Sequence, residues 1–264
     1  MVTRFAPSPT GYLHLGHVVN AIYVWGLARH VGARVLLRIE DHDRIRCRPE
    51  YERAILEDLA WLGFRADEPP VRQSDRSHVY AGALAQLRQK YHVYVCDCSR
   101  KQIRQDLGGK AGEDVYSGRC RTRHLDEAPG RGLRLEECGD LLIRDRDGNW
   151  TYQFCVTVDD LTQGVDLVIR GDDLRASTDR QLQLARMLGR TGTPRFIHHP
   201  LLLKPSGEKL SKAAGDTGVR EMREAGRSPE EVIGAAAAAV GLLATARPLA
   251  ASDVGHLFRE SGLR

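Results

Sequence analysis

The stretch from Arg4 to Ile39 restricts the fold more than any other part of the chain. Arg4-Phe5-Ala6 has the character of a short strand, Pro7 to Gly11 forces a bend, and a helix starts near Leu15. Val18, Ile22, Trp25 and Ala28 recur at helical spacing until Gly32 ends it. Val35-Leu36-Leu37-Arg38-Ile39 is then a nearly all-apolar run of β formers, as expected of a strand covered on both faces. Strand, helix, strand in this order opens a doubly wound parallel α/β sheet, in which ligands sit at the carboxyl ends of the strands. The loop from Arg4 to His17 falls at such an end. Its helix N-terminus at Gly16-His17 offers backbone N–H groups and imidazoles to an anion such as a phosphate, and Gly16 admits a flat ring close to the backbone. Taken alone, the same loop also reads as a Pro-rich turn with two solvated histidines.

With 264 residues, 42% of them hydrophobic, the chain can bury one large core and a smaller one. No apolar run reaches the length of a membrane span and the N-terminus lacks a signal-peptide pattern, so a cytoplasmic protein with no membrane partner is expected. The net charge of +4 permits a nucleic-acid partner without demanding one. Arg119, Arg121, Arg123, His124, Arg131 and Arg134 are close in sequence, which reads either as a phosphate-contacting face or as a solvated basic surface. The six cysteines do not form a secreted disulfide pattern.

Glu40, Asp41 and Asp43 follow the second strand, where an acidic cluster suits an ammonium group or a metal, or caps the next helix. Pro49 to Leu62 and Ser77 to Tyr91 read as helices, and Val93-Tyr94-Val95 as a return to the main sheet. From Cys96 to about Gly139 the chain is rich in Gly, Arg and Asp and too poor in core formers to fold unaided. A metal would supply the missing stability. Cys96-x-Cys98 and Cys120 provide three thiolates, suited to Zn²⁺, and donor chemistry alone favours His124 or Cys138 as a fourth ligand. Without a metal, the same residues would be three unligated thiols in a loop. Leu141 to Arg144 and Asn149 to Val158 flank Asp147-Gly148, the signature of a hairpin. A further buried strand around Val165 to Ile169 delivers Arg170 to its carboxyl end, where arginine needs a bound anion or a pair with Asp172 or Asp173. Ser177-Thr178-Asp179 reads as a helix cap. His198 and His199, on a strand from Phe196 to Leu203, should point to opposite faces. Ser228-Pro229-Glu230-Glu231 is a capping box.

Arg-Phe-Ala-Pro-Ser-Pro-Thr-Gly-Tyr-Leu-His-Leu-Gly-His, from Arg4 to His17, resembles the first motif of class I aminoacyl-tRNA synthetases in its glutamate-specific form. Lys209-Leu210-Ser211-Lys212-Ala213 resembles the second motif, with Leu for Met and Ala for the final Ser. The resemblance covers essentially the whole chain. It implies a Rossmann-like catalytic domain in two halves, residues 1–95 and 141–203, with a zinc-binding insertion at 96–140 and a lysine loop with helical stem at 204–264. Arg4, Phe5, Ala6, Pro7, Ser8, Glu40, Tyr152 and Arg170 would then bind L-glutamate, with Glu40 at the amino group and Arg170 at the side-chain carboxylate. His14, Gly16, His17, Lys209 and Lys212 would bind ATP and its Mg²⁺, with His14, His17 and Lys212 as catalytic candidates.

Cys-x-Cys followed by Tyr-x-x-x-Cys, here Cys96, Cys98, Tyr116 and Cys120, is similar to the pattern of the glutamyl-queuosine tRNA(Asp) synthetase family and implies one zinc with Tyr116 as fourth ligand. The chain stops at Arg264, before the helical region with which glutamyl-tRNA synthetases read the anticodon. That also points to this family, which attaches glutamate to queuosine in tRNA(Asp). A monomer is expected. A short glutamyl-tRNA synthetase acting on tRNA(Glu) shares every catalytic residue. A small nucleotidyltransferase would share the His-x-Gly-His loop, and a non-catalytic RNA-binding paralogue would share the fold; Glu40 and Arg170 argue against the first, and the intact lysines and histidines against the second.

Overall fold

A computed structural model of the chain describes residues 1–43, 45–106, 116–202 and 218–259. Lys209 and Lys212 lie outside the described residues. The elements in chain order are β1 (Val2–Phe5), α1 (Leu15–Val31), β2 (Arg34–Ile39), α2 (Pro49–Leu62), β3 (Val71–Arg72), α3 (Ser77–Arg88), β4 (Val93–Cys96), α4 (Arg100–Asp106), β5 (Gly132–Leu135), β6 (Leu141–Arg144), α5 (Tyr152–Thr162), β7 (Leu167–Gly171), α6 (Thr178–Met187), β8 (Arg195–His199), α7 (Val219–Glu224) and α8 (Pro229–Ala239).

The α/β architecture is built on parallel strands. β1 pairs with β2, Val2 opposite Arg34, and β2 pairs with β3, Arg38 opposite Val71. β7 and β8 pair in parallel, Arg170 opposite His198. β7 runs along the other side of β1 in the same direction, where the Asp166 N–H donates to the Val2 carbonyl at 3.1 Å and Arg4 Nη1 to the Ile169 carbonyl at 3.1 Å. The chain thus winds outward from β1 in both directions. The crevice beyond the ends of β1, β2 and β7 is the switch point at which such sheets bind ligands.

α1 is buried on nearly every side, from Val18 through Ala28, because it packs between the sheet residues Phe5, Leu37 and Ile39 and the C-terminal helical segments. Close approach is enforced at Gly26, where a Cβ would lie 2.3 Å from the Phe258 ring. Gly32 ends the helix with φ of 67°, a conformation that glycine adopts at no steric cost. α8 starts at the expected capping box: Glu231 N–H donates to Ser228 Oγ at 3.2 Å and Ser228 N–H to Glu231 Oε2 at 2.9 Å.

Three local expectations are corrected. Val93 to Val95 do not rejoin the main sheet: β4 pairs antiparallel with β5, and β5 with β6, in a separate three-stranded sheet. A short apolar run carries no information about which sheet will receive it. Asn149 to Val158 is not a second hairpin strand either. After the turn and one bridge between Arg144 and Trp150, the chain enters α5 at Tyr152. Its residues Phe154 to Asp159 are all buried, so the polar face that would have marked a helix is missing. Ser177 also precedes α6 without a side-chain capping bond.

Candidate active site

The first loop is held by its own histidines. His14 Nδ1 accepts from the Gly16 N–H at 3.1 Å, and His17 Nδ1 accepts from the His14 N–H at 3.1 Å, a reciprocal cap made of two imidazoles 3.9 Å apart. Because both Nδ1 atoms accept, these hydrogen bonds assign the proton of each neutral ring to Nε2. Both rings are therefore oriented as Nε2–H donors at the N-terminus of α1. Gly16 is required by the first ring itself: a Cβ there would lie 2.9 Å from His14 Cε1. The far end of the lysine segment returns to the same loop, since the Val219 N–H donates to the Leu13 carbonyl at 2.9 Å and Gly218 bridges to His14.

Beside this loop lies a buried charged cluster. Glu40 stands at the end of β2, 6% exposed, with its N–H bonded to the Pro7 carbonyl at 3.0 Å and its carbonyl accepting from Ser8 Oγ at 2.9 Å. Burial pushes the Glu40 carboxyl above its ordinary range, against the opposing pull of Arg38, His42 and Arg4. Tyr152, at the first turn of α5, has its hydroxyl pushed up by burial and by the field of Glu40, and it also senses Arg4 and Arg170. Arg4, Ser8, Glu40, Tyr152 and Arg170 are thus gathered at the ends of β1, β2 and β7. Phe5 is not in that group through its side chain. Its ring is 1% exposed and packs 5.2 Å from Trp25, so only its backbone can line the site. Pro7 contributes through its carbonyl, and Ala6 is half-buried next to it.

Arg170 is 4% exposed and held by neutral groups: Nε donates to His198 Nε2 at 3.2 Å, Nη1 to Gln181 Oε1 at 2.5 Å and Nη2 to Thr178 Oγ1 at 2.8 Å. It does not pair with Asp172, which is bound by Arg175 instead. Burial lowers the Arg170 pKa, and burial next to Arg170 likewise holds His198 below its ordinary value. His199 points the other way, stacking 4.9 Å from Tyr23, as adjacent strand residues must.

Sequence reasoning missed the residues that fix this cluster. Arg38 is fully buried, with Nη1 donating to Asp160 Oδ1 at 2.8 Å and to Gln163 Oε1 at 2.9 Å, and Nη2 to Glu40 Oε1 at 3.4 Å. Arg4 Nε donates to the same Asp160 Oδ1 at 3.1 Å. Asp159, also fully buried, receives Gln73 Nε2 at 2.8 Å, Arg76 Nε at 2.7 Å and the Tyr80 hydroxyl at 2.9 Å. Burial alone would lower the Arg38 pKa, but Asp160, Glu40 and Asp159 more than offset it and leave it raised. The available signals were a charge inside an apolar strand and the Asp-Asp pair inside an apolar helix.

A second constellation lies at the end of β4. The sulfurs of Cys96, Cys98 and Cys120 lie within 4.8 Å of one another, all buried. The Tyr116 oxygen is 3.4 Å from Cys96 Sγ and 3.4 Å from Cys98 Sγ, and Cys98 and Cys120 are 3.5 Å apart. A tetrahedral zinc with Zn–S of ~2.3 Å has ligand–ligand edges of ~3.8 Å, so the donor set fits that ion. Cys138 is not a donor here, because its thiol meets the Arg180 carbonyl at 3.5 Å, and His124 is not among the grouped donors. Arg134 Nε on Cys96 Sγ and Arg123 Nη1 on Cys120 Sγ, both at 3.4 Å, bring positive charge to the thiols. The basic run of the sequence is interleaved with acidic partners. Arg119 pairs with Asp106, Arg121 with Asp140 and Arg123 with Asp97, while Arg134 is buried.

Residues 1–132 and 132–242 match the family model described as tRNA synthetases class I (E and Q), catalytic domain. The chain is 38% identical over 258 residues to a glutamate–tRNA ligase of Nitratidesulfovibrio vulgaris, a match covering 88% of this chain and 56% of that protein. It is 40% identical over 281 residues to a glutamyl-Q tRNA(Asp) synthetase of Leptothrix cholodnii, covering 93% of this chain and 92% of that protein. The chain thus spans about half the length of the glutamate–tRNA ligases it matches. Among solved structures, a glutamate tRNA ligase of Elizabethkingia meningosepticum in complex with its amino acid superposes with a TM-score of 0.77 at 27% identity, over 96% of this chain and 64% of that one. Among the described residues no helix is long and apolar enough to cross a membrane.

Proposed function

Because the chain belongs to the class I (E and Q) tRNA synthetases, which are ligases, we propose that it activates L-glutamate with ATP and transfers the glutamyl group to the cyclopentenediol of queuosine in tRNA(Asp). The observation that carries the first half is that Glu40 and Arg170, 6% and 4% exposed, both act on the Tyr152 hydroxyl, so that a carboxylate and a guanidinium stand at the same strand ends. Glu40 would receive the α-ammonium, and the Arg170 guanidinium would take the side-chain carboxylate in a planar two-point contact that a lysine cannot make. Arg4, Ser8, Tyr152 and the Phe5–Pro7 backbone would complete the pocket.

In the first step the glutamate α-carboxylate attacks the α-phosphate of Mg²⁺-bound ATP in line. The bond to the bridging oxygen breaks, and pyrophosphate leaves. Charge builds on the phosphoryl oxygens, so the protein contributes position and preorganised donors. The Nε2–H groups of His14 and His17 would supply donors at the N-terminus of α1, with Gly16 keeping the approach open. Lys209 and Lys212 would bring cationic charge to the triphosphate. In the second step a queuosine hydroxyl attacks the activated carbonyl, AMP leaves, and the hydroxyl proton is released. The adenylate carries its own leaving group, so no protein nucleophile is required.

The acceptor reading is supported by Tyr116, whose oxygen sits among the three thiols in the arrangement that the glutamyl-queuosine pattern implies. Cys96, Cys98, Cys120 and Tyr116 would hold Zn²⁺, which supplies folding free energy to this segment. The second reading, charging of tRNA(Glu), is supported by the similarity to full-length glutamate–tRNA ligases. The activation half is tested by ATP–pyrophosphate exchange without tRNA. Exchange should depend on glutamate and vanish in Lys212→Ala; no exchange with glutamate, or equal exchange with glutamine, overturns it.

A further inference from the structure

We infer that Asp160 is a positioning residue for the amino-acid pocket, one carboxylate that sets both Arg4 and, through Arg38, the attitude of Glu40. The inference rests on the glutamate-activating reading above and extends it to a residue that would not touch the substrate.

α5 projects two functions from related positions. Tyr152 stands at its first turn, facing Glu40, while Asp159 and Asp160 lie two turns further along, on the same side of the helix at a spacing of seven and eight residues. Asp159 anchors α5 to the neighbouring elements through Gln73, Arg76 and Tyr80. Asp160 does the opposite job and reaches into the sheet. Its Oδ1 accepts from Arg4 Nε on β1 at 3.1 Å and from Arg38 Nη1 on β2 at 2.8 Å, and its Oδ2 accepts from Arg4 Nε at 3.3 Å. The side chains of Arg4 and Arg38 are 5% and 0% exposed and that of Asp160 13%, so these bonds lie largely out of water.

Two cations share this carboxylate, and their remaining contacts are unequal. Arg4 has the Ile169 carbonyl, next to Arg170. Arg38 has Gln163, a long 3.4 Å contact to Glu40, and an Nε with no hydrogen-bond partner among the described residues, 3.8 Å from Asp159 Oδ2. Without Asp160, Arg38 would be drawn fully onto Glu40 and Asp159. Glu40 would then be consumed in an internal ion pair and lost to an incoming ammonium group. Asp160 keeps Arg38 from doing so: it satisfies the guanidinium from the far side and leaves the Glu40 contact long. It also holds Arg4 at the end of β1, beside Arg170.

The test is steady-state pyrophosphate exchange by the full chain, with glutamate and ATP each varied. Asp160→Asn keeps the shape and removes the charge. Hydrogen bonds to charged groups contribute about 1.5–3 kcal/mol, so KM for glutamate should rise about 10- to 100-fold while KM for ATP stays within about twofold. Asp160→Glu, which retains the charge at a longer reach, should recover part of that loss. A merely structural role would lower the active fraction and move neither KM. Should Asp160→Asn fail to fold, Gln163→Met removes only the neutral partner of Arg38 Nη1 and should raise KM for glutamate several-fold with ATP unaffected. Unchanged KM for glutamate in the folded variant overturns the proposal, as do equal shifts for both substrates. Wild-type protein without glutamate-dependent exchange would instead remove the activation reading and this inference with it.

Discussion

Replacing Arg170 by lysine isolates the contribution of a planar cation to glutamate recognition. The wild-type guanidinium uses three donors on His198, Gln181 and Thr178. Arginine has five, so among the described residues one N–H remains on each terminal nitrogen, the pair that a carboxylate accepts side by side. A lysine ammonium has three donors and no fixed plane, and cannot serve the three acceptors and two carboxylate oxygens together. Loss of one charge-assisted hydrogen bond costs about 1.5–3 kcal/mol, which raises KM for glutamate about 10- to 100-fold. Gln181, 6% exposed, would lose a charged donor, so the variant should also melt lower by a few degrees, at roughly 2–4 °C per kcal/mol. Pyrophosphate exchange with glutamate and ATP varied in turn provides the assay, and thermal melting the control. A folded Arg170→Lys enzyme with wild-type KM for glutamate, or with KM for ATP raised equally, refutes the assignment of Arg170 to the side-chain carboxylate.

Two further outcomes follow from groups outside the pocket. Asp58 is 4% exposed, its Oδ2 has no hydrogen-bond partner among the described residues, and burial raises its pKa to about 6 despite the opposing pull of Arg223. A raised folded-state pKa stabilises the protein below the unfolded value, and that stability is lost as pH rises through about 6. Asp58→Asn should therefore stabilise the protein near pH 7.5 by up to about 3 kcal/mol, with the gain shrinking as pH falls through 6; a gain that is independent of pH, measured by denaturant titration, contradicts this. Tyr116→Phe removes one oxygen donor and should weaken zinc retention by about tenfold or more in chelator competition while leaving the three thiolates in place. Equal retention by the variant would exclude Tyr116 as a ligand.

The elements that the sequence made legible are those whose burial is local and periodic. β1, α1 and β2 follow from the apolar spacing of Val18 to Ala28 and from Gly32, and the start of α8 follows from Ser228 and Glu231. α5 was hidden because burial on every side leaves Phe154 to Asp159 without a polar face, and Val156, Thr157 and Val158 are β formers. The sheet that receives β4 depends on residues about forty positions later, which no local pattern specifies. Distance in the chain also concealed Asp160, which lies 156 residues from Arg4 and 122 from Arg38. The thiol cluster was legible because its donors are close in sequence, and Cys138 was separable from it only by its contact with α6. Arg119 to Arg134 looked like one basic face because charge counts ignore the acids, Asp97, Asp106 and Asp140, that the fold brings to them.

The acceptor is the central claim, and transfer of labelled glutamate tests it most directly. The protein, ATP and glutamate would be incubated in parallel with queuosine-containing tRNA(Asp), queuosine-free tRNA(Asp) transcript and tRNA(Glu), and label on each RNA counted. The account predicts label on queuosine-containing tRNA(Asp) and background on the other two. Label on tRNA(Glu), or equal label on the queuosine-free transcript, would contradict it.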